Sequence, residues 1–152
     1  MKLILSLLLT LAVGTIAGFA TAGETSGNWF ITLNKPWFQP PNWLFGPVWT
    51  TLYIMMGIAL FLVWKQAASK ERNIAIGIFM VQLALNFLWS FIFFKWHMVD
   101  LALADIILLW MMILFTIFRF AKFSKVAAWL LVPYISWVSF ATILNFAILR
   151  LN

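Results

Sequence analysis

Five long apolar stretches decide what this chain can fold into. They run over Leu3–Ala22, Phe45–Trp64, Ile74–Phe94, Val99–Phe118 and Val126–Leu149. About 20 apolar residues in a helix cross the roughly 30 Å hydrocarbon layer of a bilayer, and each stretch is close to that length. Only the fourth carries charge, with Asp100 at its mouth and Asp105 inside. Backbone groups in lipid have no water to bond, so segments of this kind must be helical. The sequence therefore predicts an all-α integral membrane protein: one domain over 1–152, folded as a five-transmembrane-helix bundle. Composition leaves no room for a soluble domain beside it. Charged residues make up 9% of the chain and hydrophobic ones 65%, whereas a soluble domain carries about a quarter charged residues.

Orientation follows from the basic residues. Lys2, Lys65, Lys70, Arg72, Arg119, Lys122 and Lys125 fall on one side of the bundle, and Lys35, Lys95 and Arg150 on the other. Seven against three predicts a cytoplasmic amino terminus and a carboxyl terminus outside. The one long connection, 23–44, is rich in Pro, Trp and Asn and lies on the outer side in this scheme. The net charge of +6 is thus spent on topology. No helix carries a basic stripe, and no nucleic-acid partner is expected.

The first stretch has a second reading. Lys2, an apolar run and Ala20-Thr21-Ala22 also fit a cleaved signal peptide. Two features favour a retained span: the run is longer than a usual signal core, and Gly14, Gly18 and Ala22 form a small-residue stripe that lets helices approach closely.

Polar groups inside a membrane are costly and ask for partners. Helical spacing gathers them on faces. Trp49, Tyr53, Gly57, Leu60 and Trp64 share one face of the second span. Gln82, Asn86, Trp89, Ser90 and Phe93 share one of the third, and Pro133, Trp137, Ala141, Leu144 and Asn145 one of the fifth. Asp105 and Thr116 share a face of the fourth, with Asp105 expected to bond to a neighbouring helix or loop. A single Trp of this kind fills a core or an interface belt. Ten Trp in 152 residues exceed what belts need. Flat aromatic faces with a few amides and hydroxyls suit a large, planar, mostly apolar ligand.

Other chemistries find little support. Cysteine is absent, and the single histidine, His97, sits in a short loop where solvation is expected. Convergent His, Asp or Glu for a metal are missing, so no metal site is predicted. Ser90, Ser136 and Ser139 have no basic partner nearby in sequence, so no catalytic residue is assigned. No phosphate-cradling glycine loop is present.

The motifs Trp29-Phe30, Lys35-Pro36-Trp37, Pro40-Pro41, Phe45-Gly46-Pro47-Val48-Trp49-Thr50 and Leu52-Tyr53 are long and ordered. They continue in Gln82, Leu85-Asn86, Trp89-Ser90, Ala104-Asp105, Pro133-Tyr134, Trp137-Val138, Phe140-Ala141 and Leu144-Asn145. Together they resemble the tryptophan-rich sensory protein / translocator protein family (TspO/MBR) over nearly the whole chain from Trp29 onward. The resemblance implies a homodimer of five-helix bundles, each with a pocket capped by the loop between the first two spans. It implies ligand binding by Trp49, Tyr53, Asn86, Trp89, Trp137 and Ala141, with Phe30 and Pro41 from the capping loop. Its ligands would be porphyrins such as protoporphyrin IX and haem-related tetrapyrroles, with Asn86 bonding a polar edge and no cofactor required. The expected role is tetrapyrrole sensing or regulation. Transport of porphyrin or another amphiphile, or light-dependent porphyrin breakdown, are the alternatives. The pattern departs at Phe146, where animal members carry a Tyr between an aliphatic and a basic residue; the lost hydroxyl counts against sterol binding. A bacterial inner membrane is the expected location.

Overall fold

The computed structural model describes residues 1–152 and contains helices and no strand. The helices are α1 (Lys2–Thr21), α2 (Asn28–Thr32), α3 (Asn42–Trp64), α4 (Lys70–Ser90), α5 (Val99–Ala121), α6 (Lys125–Leu130) and α7 (Val132–Leu151). Counting the turns that continue α1 and α4, and α6–α7 as one, five are long and apolar enough to cross a membrane. The protein is an integral membrane protein, as its hydropathy predicts.

The second and third spans begin earlier than the apolar runs do. α3 starts at Asn42 because Pro41, extended at φ −63° and ψ 144°, sets the chain for the first turn. α4 starts at Lys70 because the Ser69 side chain accepts a hydrogen bond from the Arg72 amide and caps the helix. The third span ends in a π-helical turn, Phe91–Lys95, closed by the Trp96 amide on the Phe91 carbonyl at 2.9 Å. Just beyond it His97 takes φ 57°, the left-handed region that a non-glycine residue seldom adopts. The fifth span is broken at Leu131. Pro133 has no N–H to offer the Trp129 carbonyl, and the helix resumes with the Ile135 amide on the Leu131 carbonyl at 3.0 Å.

The spans pack as a ring. α1 lies against α3 and α4, α4 against α5, and α5 against α6 and α7. α3 meets α6 rather than α7, so the seam between the second and fifth spans is closed at one end of the bundle and parted at the end that bears the 23–44 loop. Aromatic rings bridge the parted seam: Phe45 and Trp137 lie 5.9 Å apart, and Trp49 and Tyr134 6.3 Å. The closed half is filled by Met56, Val63, Phe79, Leu109, Ile113 and Phe120, all but shut off from solvent. A second, smaller cluster gathers Phe30, Ile92, Phe93, Ala102, Leu144 and Ile148 under the loop.

Two glycines let α1 and α3 touch. A Cβ on Gly57 would stand 2.8 Å from Thr10 Oγ1 and 3.0 Å from the Leu7 Cα, and one on Gly14 would overlap the Tyr53 ring. Thr10 adds a hydroxyl bond to the Tyr53 carbonyl at 2.8 Å. The small-residue stripe on α1 therefore works only in part: a Cβ at Gly18 would meet open space. The lipid-facing side is apolar as expected, with Phe19, Phe115, Phe118 and Phe146 all more than half exposed.

Candidate ligand cavity under the lid

The space between the two apolar clusters is a cavity of about 510 Å³. That falls in the range of roughly 300–1,000 Å³ typical of small-molecule sites. Its walls come from all five spans: Leu11 and Gly14 from α1, Trp49 and Tyr53 from α3, Asn86 and Trp89 from α4, Ile106 and Leu109 from α5, Trp137 and Ala141 from α7. Phe30 and Gln39 come from the loop. The structure thus brings Phe30, Trp49, Tyr53, Asn86, Trp89, Trp137 and Ala141 together around one space.

Pro41 is the exception, and the expectation that it lines the pocket is corrected. It is exposed, lies outside the lining and serves to start α3. Pro133, placed by spacing on the face of Trp137, is also exposed and outside the cavity, at the first turn of α7. Gln39 was not singled out by sequence reasoning. It sits in an irregular segment, where no periodicity reports which way a side chain points.

A chain of hydrogen bonds forms the cavity floor. Tyr53 donates its hydroxyl proton to Asn86 Oδ1 (2.5 Å), Asn86 Nδ2 donates to the Tyr134 hydroxyl (2.8 Å), and Tyr134 donates to Gln82 Oε1 (2.6 Å). Asn86, expected to bond a ligand's polar edge, also holds α3, α4 and α7 together, with one donor and one acceptor position used. Trp89 and Asn145 are likewise engaged: the indole N–H of Trp89 donates to Asn145 Oδ1 at 3.0 Å, and Asn145 Nδ2 to the Val99 carbonyl at 3.0 Å. Asp105 departs from expectation. It is buried, but its Oδ2 has no hydrogen-bond partner on a neighbouring helix or loop.

The 23–44 loop lies over the cavity as a partial lid and is held at two points. Near its start the Glu24 carboxylate lies 3.5 Å from Lys95 Nζ and 3.9 Å from His97 Nε2. The Trp29 ring stacks on His97 at 4.0 Å, nearly parallel, and meets Phe93 edge-on at 5.7 Å. His97 stays exposed, as expected of a loop histidine, with one face covered by Trp29. Further along, the Asn34 amide donates to Asn152 Oδ1 at 3.1 Å, and Asn152 Nδ2 returns a bond to the Asn34 carbonyl at 2.9 Å. Just after the second anchor, Lys35 Nζ reaches back to donate to the carbonyls of Phe30 and Leu33 and lies 4.4 Å from the Phe30 ring centroid.

An aromatic cavity in a five-span bundle, closed by a Trp- and Pro-rich lid, agrees with the resemblance carried by the motifs. The sequence model of the TspO/MBR family matches residues 6–151. The chain belongs to the TspO/MBR family. Relatives of this TspO/MBR protein are similar along their length. The tryptophan-rich protein TspO of Chlorobaculum tepidum is 47% identical over 158 residues, covering 99% of this chain and 98% of the relative. The tryptophan-rich protein TspO of Archaeoglobus fulgidus is 43% identical over 152 residues, covering 100% and 97%. The translocator protein of Homo sapiens is 39% identical over 126 residues, covering 82% and 75%.

Proposed function

We propose that this TspO/MBR protein is a membrane receptor for porphyrins such as protoporphyrin IX and for similar flat, mostly apolar molecules, acting in tetrapyrrole sensing or regulation. One observation carries the reading: Trp49, Trp89 and Trp137 face a single cavity of about 510 Å³ under a lid. Indole faces offer area for a planar conjugated ring and lose little conformational freedom on binding. The lid excludes water from the site, and its prolines lower the entropy lost in ordering it. The name tryptophan-rich sensory protein, borne by a relative from Cereibacter sphaeroides that is 38% identical over 124 residues, fits a sensing role.

Binding is favoured over passage through the bundle. The floor chain of Tyr53, Asn86, Tyr134 and Gln82 and the packed half beyond it close the cavity on the side away from the lid. A path across would have to break buried hydrogen bonds at about 1–3 kcal/mol for each group left unpaired. The orientation that goes with this reading puts the lid outside a bacterial inner membrane and the amino terminus in the cytoplasm, with two copies forming a homodimer.

The test is a titration of the protein in lipid nanodiscs with protoporphyrin IX, followed by tryptophan fluorescence. Quenching that saturates at one ligand per chain is expected. Quenching that rises linearly, as it does for empty nanodiscs carrying a tryptophan ester, would show partition into lipid and overturn the proposal.

A further inference from the structure

The seam between α1 and α3 is closed at one end only. Away from the lid, side-chain hydrogen bonds cross it: Lys2 Nζ donates to the Trp64 carbonyl at 3.3 Å, and Thr10 Oγ1 to the Tyr53 carbonyl at 2.8 Å. Gly14 and Gly57 belong to this closed part, each with atoms of the other helix where its Cβ would be. The same faces run on toward the lid. Gly18 stands one turn beyond Gly14 on α1, and Thr50 and Gly46 stand two and three turns before Gly57 on α3. There the contact ends: a Cβ on Gly18 or on Gly46 would meet no atom within 4 Å. No side-chain hydrogen bond crosses this part. Thr21 Oγ1 donates to the Ala17 carbonyl and Thr50 Oγ1 to the Gly46 carbonyl, both at 2.8 Å and each within its own helix. Lys95 Nζ reaches the Ala20 carbonyl at 3.2 Å, so the end of α1 is tied to the end of the third span and not to α3. Gly18, Ala22, Gly46 and Thr50 all line the cavity and are all exposed. Phe19 and Ile54, next to this gap on the two helices, are apolar and exposed, as lipid-facing residues are.

We propose that this gap is a lateral entrance: the ligand passes between the cavity and the lid-side leaflet of the bilayer, between α1 and α3, while the lid stays in place. This rests on the receptor reading above and fixes where the ligand comes from. A flat, mostly apolar molecule leaves water for lipid, so the bilayer is where it is concentrated. At the gap it meets small side chains, and the hydroxyls of Thr21 and Thr50 are already bonded, so no hydrogen bond has to break. A path under the lid has to undo the two bonds between Asn34 and Asn152, the contact of Glu24 with Lys95 and the stacking of Trp29 on His97. Gly18 and Gly46 then control access. Their missing side chains are the width of the entrance, and the protein draws on ligands dissolved in the membrane.

The chain has no cysteine, so a single introduced thiol can be capped selectively. Gly18→Cys in nanodiscs is capped with benzyl methanethiosulfonate, which fills the gap and is removed by reductant, so capped and uncapped forms share one fold. Stopped-flow tryptophan quenching by protoporphyrin IX gives the association rate, and release into excess empty nanodiscs gives the dissociation rate. Capping should slow both by about tenfold and leave their ratio within about threefold, and reductant should restore both, because a blocked route raises the barrier in each direction. Phe115→Cys, capped in the same way on the lipid-facing side of α5, should keep both rates within about twofold of its uncapped form. Asn34→Cys/Asn152→Cys pins the lid by a disulfide at its second anchor, and oxidation should likewise leave both rates within about twofold. Slowing by the pinned lid with none from the cap at Gly18 would put the entrance under the lid and overturn the inference. Equal slowing by the caps at Gly18 and Phe115, no slowing by either, or faster release without slower association would overturn it too, and all of these leave the receptor reading intact. Absence of saturable quenching in the uncapped protein would overturn the receptor reading and this inference with it.

Discussion

Trp49→Ala and Trp137→Ala should each lower affinity for protoporphyrin IX by about ten- to a hundredfold, equivalent to roughly 1.5–3 kcal/mol. Each change removes an aromatic wall of the cavity and leaves a void where a ring would have stacked. Trp137 loses in addition the one indole N–H that is buried without a partner. The effect should be confined to tryptophans on the cavity. Trp43 and Trp129 are 71% and 72% exposed and lie outside the lining, so Trp43→Ala and Trp129→Ala should bind as wild type does. Because the substitutions remove fluorophores, affinity is best read from the absorption of the ligand. Equal losses in all four variants would mean that the cavity has no special part in binding.

Gly57→Leu should destabilise the fold by about 2–3 kcal/mol, the usual cost of forcing extra atoms into a packed contact. The nearest atoms to the new Cβ include the Leu7 Cα at 3.0 Å, which is backbone and cannot swing aside. α1 would have to move off α3, and the Thr10 bond to the Tyr53 carbonyl would go with it. In detergent the unfolding midpoint should fall by roughly 5–10 °C. Gly77 is the matched control, since it is exposed on α4 with open space at its Cβ. Gly77→Leu should leave the midpoint nearly unchanged. If both variants melt alike, the close approach of α1 and α3 does not depend on Gly57.

The fold was legible because lipid imposes a simple code. Apolar runs of helical length can be read directly, and the spans differ from them mainly at their ends, where polar residues such as Asn42 and Lys70 continue a helix beyond the hydrocarbon. Helical spacing also brought out most of the cavity wall, because Trp49 and Tyr53, or Trp137 and Ala141, must share a face wherever the helix is unbroken. It says less about level along the helix: Pro133 shares a face of α7 with Trp137, yet it sits a turn further from the lid end and outside the cavity lining. The lid escaped this logic altogether. Pro41 was carried over from a motif and proves to be a helix starter, while Gln39, two residues before it, lines the cavity.

Partner choice was the least legible property. An amide in a membrane must be bonded, which the sequence shows, but not to what. Asn86 lines the cavity as expected, but the sequence does not show that it also joins Tyr53 to Tyr134, two aromatic residues from separate spans. Such pairings depend on the ring order of the helices and on which levels of the bundle meet. Gly14 and Gly18 make the same point. Both are small and sit one turn apart on α1, yet Tyr53 fills the space beside Gly14 and nothing fills the space beside Gly18.

The most direct measurement is an experimental structure of the protein with protoporphyrin IX in a lipid environment. The receptor reading predicts the macrocycle between Trp49 and Trp137, beneath the 23–44 lid, with the floor chain from Tyr53 to Gln82 unbroken. A macrocycle bound on the lipid-facing surface, with the cavity under the lid left vacant, would contradict it.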